Sequence, residues 1–208
     1  MQAEIIYQDE HILLCLKSAG MDSERELPAL LRLQTGVESI FCVHRLDRAT
    51  GGLMVYAKSP RAASALSALI TAGDMQKSYL AVVQGQPEDS AVLHDLLFRD
   101  PAKNKSYVVR RVRRGVREAE LSYTCLQRTQ ELSLLRIQLK TGRTHQIRVQ
   151  FASRAMPLVG DLRYGSSYRD CALALWCERL SFSHPVTGEP VDRQCSPPSV
   201  WPWTDFIA

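Results

Sequence analysis

Apolar runs of strand length recur along this 208-residue chain more often than helical patterns do, and the two do not alternate. A doubly wound parallel sheet needs a helix after each strand, so this order points instead to a mixed, mainly antiparallel sheet with a few helices packed on it, an α+β fold. Glu4-Ile-Ile-Tyr7 and Ile12-Leu-Leu-Cys-Leu16, joined by the polar run Gln8-Asp-Glu-His11, read as a hairpin. Further strands are expected at 53–57, 78–84, 106–112, 119–127, 132–139 and 173–183. Leu27, Leu30, Leu31 and Leu33 stand near helical spacing ahead of Gly36, which predicts a short helix over 26–35. Ser59 before Pro60 supplies an N-cap and a proline at the first helical position, opening an Ala- and Leu-rich helix that Gly73 closes. Thr144 to Arg154 reads as a third helix, capped by Thr144, with Ile147 and Phe151 on its apolar face.

With 45% hydrophobic and 23% charged residues, a chain of this length buries roughly 70% of its unfolded surface in one core. A single domain over 1–208 is the expectation, with no repeat or Gly/Ser linker, and the tail carrying Ser196-Pro-Pro198 and Trp201-Pro-Trp203 is expected to wrap back onto the body. No run of 18 apolar residues and no basic-then-apolar leader occurs, so neither a membrane span nor a secretory signal is expected, and the chain reads as a cytoplasmic monomer. Cys15, Cys42, Cys125, Cys171, Cys177 and Cys195 are scattered without a Cys-x-x-Cys pair or clustered histidines, which fits reduced thiols and no zinc set.

The 26 Lys and Arg exceed the 22 Asp and Glu by only four, but the excess is concentrated. From Arg99 to Arg154 there are 14 basic residues against Asp100, Glu118, Glu120 and Glu131, a local charge of +10, which leaves the remainder at −6. An acidic body with a basic middle carries an electrostatic footprint for phosphate. Arg110, Arg111, Arg113 and Arg114 are interleaved with Tyr107, Val108, Val109 and Val112, which places them on an ordered ribbon able to lie along a nucleic acid; a solvated face is the plainer reading.

Three runs can carry chemistry. Val43-His-Arg-Leu-Asp-Arg-Ala-Thr-Gly-Gly-Leu53 sets His44, Arg45, Asp47 and Arg48 before two glycines and a buried strand, either as a catalytic loop or as a structural turn with Asp47 capping amides. Leu139-Lys-Thr-Gly-Arg-Thr-His-Gln-Ile-Arg-Val149 is basic without an acid, with His145 and Arg148 on one helical face, and Lys140 and Arg143 flanking a helix N-terminus that could equally hold an anion. Gln76-Lys-Ser-Tyr-Leu-Ala81 places Lys77 and Tyr79 on a strand. No Gly-x-Gly-x-x-Gly, P-loop or His-Glu-x-x-His run is present, so the expected chemistry uses side chains alone, without cofactor or metal.

Taken together, His44-Arg-Leu-Asp47 with Thr50-Gly-Gly52, Lys77-Ser-Tyr-Leu-Ala81, and Gly142-Arg-Thr-His-Gln-Ile-Arg148 with Pro157-Leu-Val-Gly-Asp161 resemble the ordered motifs of the RluA-type pseudouridine synthases. The likeness extends to Lys17 and Gly20 in the hairpin region and to Leu180-Ser-Phe-Ser-His-Pro185, so it spans nearly the whole chain. It implies isomerisation of uridine to pseudouridine in ribosomal or transfer RNA, without cofactor, on a mainly antiparallel sheet with a central catalytic cleft. It further implies Asp47 as the essential carboxylate, acting as nucleophile or as base, and Tyr79 stacking on the base with removal of the C5 proton as a further role. Arg148 would partner Asp47, and Arg45 would fill the space of a flipped-out nucleotide. Lys77, His44, Arg48, Lys140, Arg143, His145 and the four arginines at 110–114 complete the expected RNA contacts.

The chain departs from the family pattern at Gly51, where Ser is usual, at Gln150, where His is usual, and near Trp176, where His is usual. It also starts at the catalytic hairpin, so RNA contacts are expected from the catalytic domain itself. A non-catalytic RNA-binding or RNA-chaperone protein is the main rival, opposed by a carboxylate that would repel phosphate. A hydrolase using Asp47 as nucleophile is weaker, because no second acidic cluster accompanies it for a metal.

Overall fold

The computed structural model describes residues 2–206 and divides the chain into two compact units. The first holds the residues up to Lys77 together with Trp176–Pro197, the second Ser78–Leu175 and the tail from Pro198.

In the first unit the hairpin β1 (Ile5–Gln8) and β2 (Ile12–Lys17) pairs through β2 with β4 (Gly51–Ala57), antiparallel, from Ile12 opposite Ala57 to Lys17 opposite Gly52. The short β3 (Phe41–Cys42) also pairs with β4. On the other side, β4 meets β10 (Leu175–Ser183) in parallel at Gly51 and Gly52, and β11 (Pro190–Gln194) closes on β10 antiparallel. Every residue of β4 is buried, as an unbroken apolar run requires. Helix α1 spans Glu26–Thr35 and inserts Leu27 and Leu31. Helix α2 spans Pro60–Ala72, with Ser59 Oγ accepting from the Ala62 amide and Gly73 ending it in the left-handed conformation.

In the second unit five antiparallel strands follow the spatial order β5 (Gln76–Gln84), β9 (Leu132–Leu139), β8 (Val116–Arg128), β6 (Ser90–Asp100) and β7 (Lys105–Val109). Helix α3 (Gln146–Ala152) packs on β6 and β7, where Val149 joins Leu97, Ala119, Val108 and Tyr164 and Phe151 meets the Tyr123 ring edge-on at 5.3 Å. In the tail, Trp203 and Phe206 are buried.

The mixed, mainly antiparallel α+β sheet is the one expected, and the hairpin, α1, α2 and β9 fall where the sequence pattern puts them. Two expectations are corrected. The strand over 106–112 stops at Val109, and Arg110 to Gly115 form the connection that crosses β6 on its way to β8, with the Arg113 guanidinium 4.7 Å above the Phe98 ring. The four arginines therefore sit on an exposed crossing loop and not on a ribbon, because β7 and β8 lie on opposite sides of β6 and the chain must leave the sheet to connect them. The third helix begins at Gln146, not at Thr144: His145 takes a left-handed conformation (φ 55°) and no side chain caps the helix.

Candidate active site

The turn that carries Asp47 is fastened by its main chain. The Thr50 amide donates to Asp47 O at 2.9 Å, Gly20 N donates to Arg48 O at 2.7 Å, and Ser23 Oγ donates to Leu46 O at 3.1 Å. Tyr56 of β4 steadies that partner segment by donating to Ser23 O at 2.8 Å. Beneath it lies Lys17, fully buried, whose Nζ donates to Ser18 O, Met21 O and Arg48 O at 3.1, 2.8 and 3.1 Å. Burial pulls this ammonium's pKa down to about 8, and the Asp47 carboxylate is the largest influence holding it up. Asp47 itself is half-buried, so its immediate neighbours are locked while the residue stays within reach of solvent.

Arg45 and Arg48 project outward and form exposed ion pairs, Arg45 to Glu24 at 3.1 Å and Arg48 to Glu26 at 2.5 Å, with Arg48 Nε also donating to Gly20 O. Pairs this exposed contribute little stability and can exchange a carboxylate for a phosphate. His44, expected at an RNA surface, is instead buried: its Nε2 accepts from the Val55 amide at 3.1 Å. Burial, helped by the charge of Lys77, pushes its pKa well below the ordinary histidine value, so it is a neutral strut between the loop and β4. Lys77 is half-buried and its own pKa is lowered by burial.

In the second unit Tyr79 lies on β5 opposite Ile137 of β9 and is buried. Arg148 of α3 is held by a two-pronged ion pair, Nε to Asp161 Oδ2 at 2.6 Å and Nη2 to Oδ1 at 2.8 Å, with side chains only 7% and 1% exposed. Its guanidinium also lies 5.1 Å from the centre of the Tyr164 ring. The Tyr164 hydroxyl accepts from Ser106 N at 2.9 Å, donates to Ser106 O at 3.2 Å and meets His145 Nδ1 at 3.0 Å. All three contacts are satisfied together when His145 carries its proton on Nδ1. Thus His145 and Arg148 do converge, on Tyr164, and His145, placed among the RNA contacts by the sequence, is buried there. At the start of α3, the alternative anion site of the sequence reading, the helix has seven residues, Lys140 pairs with Glu120 at 3.0 Å, and Arg143 Nε donates to Glu118 O at 2.9 Å.

Sequence reasoning attached no role to Asp161 or Tyr164, although a signal existed. An arginine between two core positions of a helix needs a carboxylate, and Asp161 is the first Asp or Glu after Glu131. Among the described residues, no group of three His, Cys, Asp or Glu side chains converges as a metal site.

The fastening of the Asp47 turn by Lys17 yields a pH prediction. A lysine whose folded pKa is lowered to about 8 holds its proton less firmly than in the unfolded chain, so unfolding takes up a proton between about pH 8 and 10.5. Stability contributed by this group is therefore expected to rise with pH across that window, by at most about 3 kcal/mol. Urea unfolding of the native chain and Lys17→Met over pH 7 to 11 should show the rise only in the native chain; parallel curves would refute it.

Comparison with known proteins gives the family. The family described as RNA pseudouridylate synthase matches residues 11–153. The ribosomal large subunit pseudouridine synthase D of Xanthomonas campestris pv. campestris is 32% identical over 213 residues, covering 90% of this chain and 63% of that protein. The tRNA pseudouridine synthase C of Vibrio cholerae is 30% identical, covering 95% of this chain and 92% of that protein. The chain thus spans less than two thirds of the Xanthomonas relative's length. Among solved structures, human RNA pseudouridylate synthase domain containing 1 shares the fold, with a TM-score of 0.82 at 22% identity over 97% of this chain and 86% of that one. With Asp47 on its fastened turn, Tyr79 on β5 and Arg148 gripped by Asp161, the motifs and the match agree: the chain belongs to the RNA pseudouridylate synthase family.

Proposed function

We propose that this protein isomerises uridine to pseudouridine in ribosomal or transfer RNA, with Asp47 as the essential carboxylate, Tyr79 against the base and Arg148 as the cation of the site. The observation that carries this reading is the Asp47 turn, whose backbone is held by the buried Lys17 and by Gly20 while Asp47 stays half-buried. The reaction breaks the bond from C1′ to N1, turns the base and joins C5 to C1′; N1 gains a proton and C5 loses one. It is redox-neutral, so an anion, a base-stacking ring and proton transfer suffice. The test is release of tritium from cellular RNA labelled at uridine C5, taken from a strain lacking the protein and separated into ribosomal and transfer fractions. Release from one fraction identifies the substrate class; tight binding without release would favour a non-catalytic RNA-binding protein.

The crossing loop supplies the grip in this proposal. Arg110, Arg111, Arg113 and Arg114 are exposed around Val112, which is itself 78% exposed, as suits a basic tip that lies on nucleic acid. Replacing all four by Gln is expected to weaken binding and flatten its salt dependence, each lost phosphate contact removing roughly 0.7 to 0.9 from the slope of log K against log salt. Binding titrations over a range of salt concentrations check this, and an unchanged slope would make the loop an ordinary solvated surface.

A further inference from the structure

Gly51, where the chain departs from the motifs it resembles, lies against Trp176, near which it departs again. Gly51 opens β4 directly after the Asp47 turn and stands opposite Trp176 in the parallel ladder with β10. A Cβ on residue 51 would lie 2.6 and 2.7 Å from Cζ3 and Cε3 of the Trp176 ring and 3.3 Å from Lys17 O. Real Cβ atoms do not approach ring carbons so closely, so with Trp at 176 the residue at 51 must be glycine. The neighbouring step is as tight: a Cβ on Gly52, which has φ +118°, would meet Cys177 N and O at 2.4 Å. The indole cannot easily swing away, since it is 8% exposed and its Nε1 donates to Cys195 O at 2.9 Å at the end of β11.

We propose that Trp176 is a positioning residue for the carboxylate turn: its tethered ring is the wall against which Gly51 seats, and it fixes where the turn from Asp47 to Thr50 closes onto β4. The Thr50 amide donates to Asp47 O, so a displacement of residue 51 passes along one hydrogen-bonded turn to Asp47. The inference rests on the reading of Asp47 as the catalytic carboxylate. It makes positions 51 and 176 an interlocked pair in which bulk at one demands its absence at the other.

The test compares Gly51→Ser, Trp176→His and the double variant with the native chain, reading thermal stability, hydrogen exchange at the Thr50 amide, and kcat and KM for tritium release. Gly51→Ser is expected to melt lower, to exchange faster at Thr50 and to lose about tenfold or more in kcat, because small misplacements of a reacting group are costly. Its KM should change less, by at most about threefold, since the basic crossing loop from Arg110 to Arg114 is untouched. Trp176→His alone removes the wall and should lose kcat several-fold at similar KM. The double variant should recover stability, slow exchange and most of kcat; recovery of a double variant whose Gly51→Ser parent does not fold also supports the interlock. Gly51→Ser behaving like the native chain, or a double variant no better than its parents, overturns it. A loss shared equally by kcat and the melting temperature, with KM rising in step, would mean a structural contact only and also overturns it. If the native chain releases no tritium, the catalytic reading fails, and exchange at Thr50 still decides whether Trp176 positions the turn.

Discussion

Asp47→Asn is expected to abolish tritium release, a loss on the order of a thousandfold or more, while RNA affinity stays within a few-fold. The substitution exchanges one carboxylate oxygen for an amide of nearly the same shape. The contacts that fasten the turn run through main-chain atoms of Asp47, Leu46 and Arg48, so none of them is removed. What disappears is the negative charge and the ability to act as nucleophile or base. Affinity is preserved because a carboxylate facing a polyanion contributes repulsion, not attraction. Parallel measurements of tritium release and of RNA binding check both halves. A turnover-competent Asn variant would remove Asp47 from the reaction; an equal loss of binding and turnover would make it a structural residue of the loop.

Asp161→Asn should be the most damaging single change in the second unit. It removes the charge of the buried carboxylate that grips the Arg148 guanidinium at Nε and Nη2. Breaking a buried ion pair from one side costs about 3 to 5 kcal/mol. For a chain of this length each kcal/mol moves the melting temperature by roughly 2 to 4 °C, so a fall of about 6 to 20 °C is expected, together with loss of turnover. Asp161→Asn combined with Arg148→Gln removes both charges and should regain most of the stability while remaining inactive. Calorimetry on the two variants decides the point: a single variant that melts with the native chain would mean that Asp161 does not hold Arg148.

Legibility followed how local the cause was. β4 is an unbroken apolar run and α2 carries its own start and stop in Ser59, Pro60 and Gly73, so both could be read directly. β6 could not, because Asp95 stands on the face that carries α3, opposite Ala119, and breaks the alternation; its charge is answered by Arg154 at 2.9 Å and by Gln150 at 2.8 Å, partners more than fifty residues away. The crossing loop failed for a similar reason: nothing local says that β7 and β8 lie on opposite sides of β6. Motif positions were legible as a set, but the burial of individual members was not. His44 and His145 read as surface groups and are interior struts, since a histidine's tautomer and depth are decided by distant partners, Val55 and Tyr164. The partner of Arg148 within its own unit was legible in principle and overlooked.

The Asp47 turn is secured mainly through its carbonyls and amides, and of the side chains at its outer surface Arg48 adds one tie, from Nε to Gly20 O. Arg45 and Arg48 spend their charges on exposed carboxylates, and Ala49 contributes no functional group. Such an arrangement separates what the loop must keep from what it can change. A lineage could rewrite positions 45 and 49 to suit a different RNA while the carboxylate stays in register, so that new targets are acquired by altering the address and leaving the chemistry untouched.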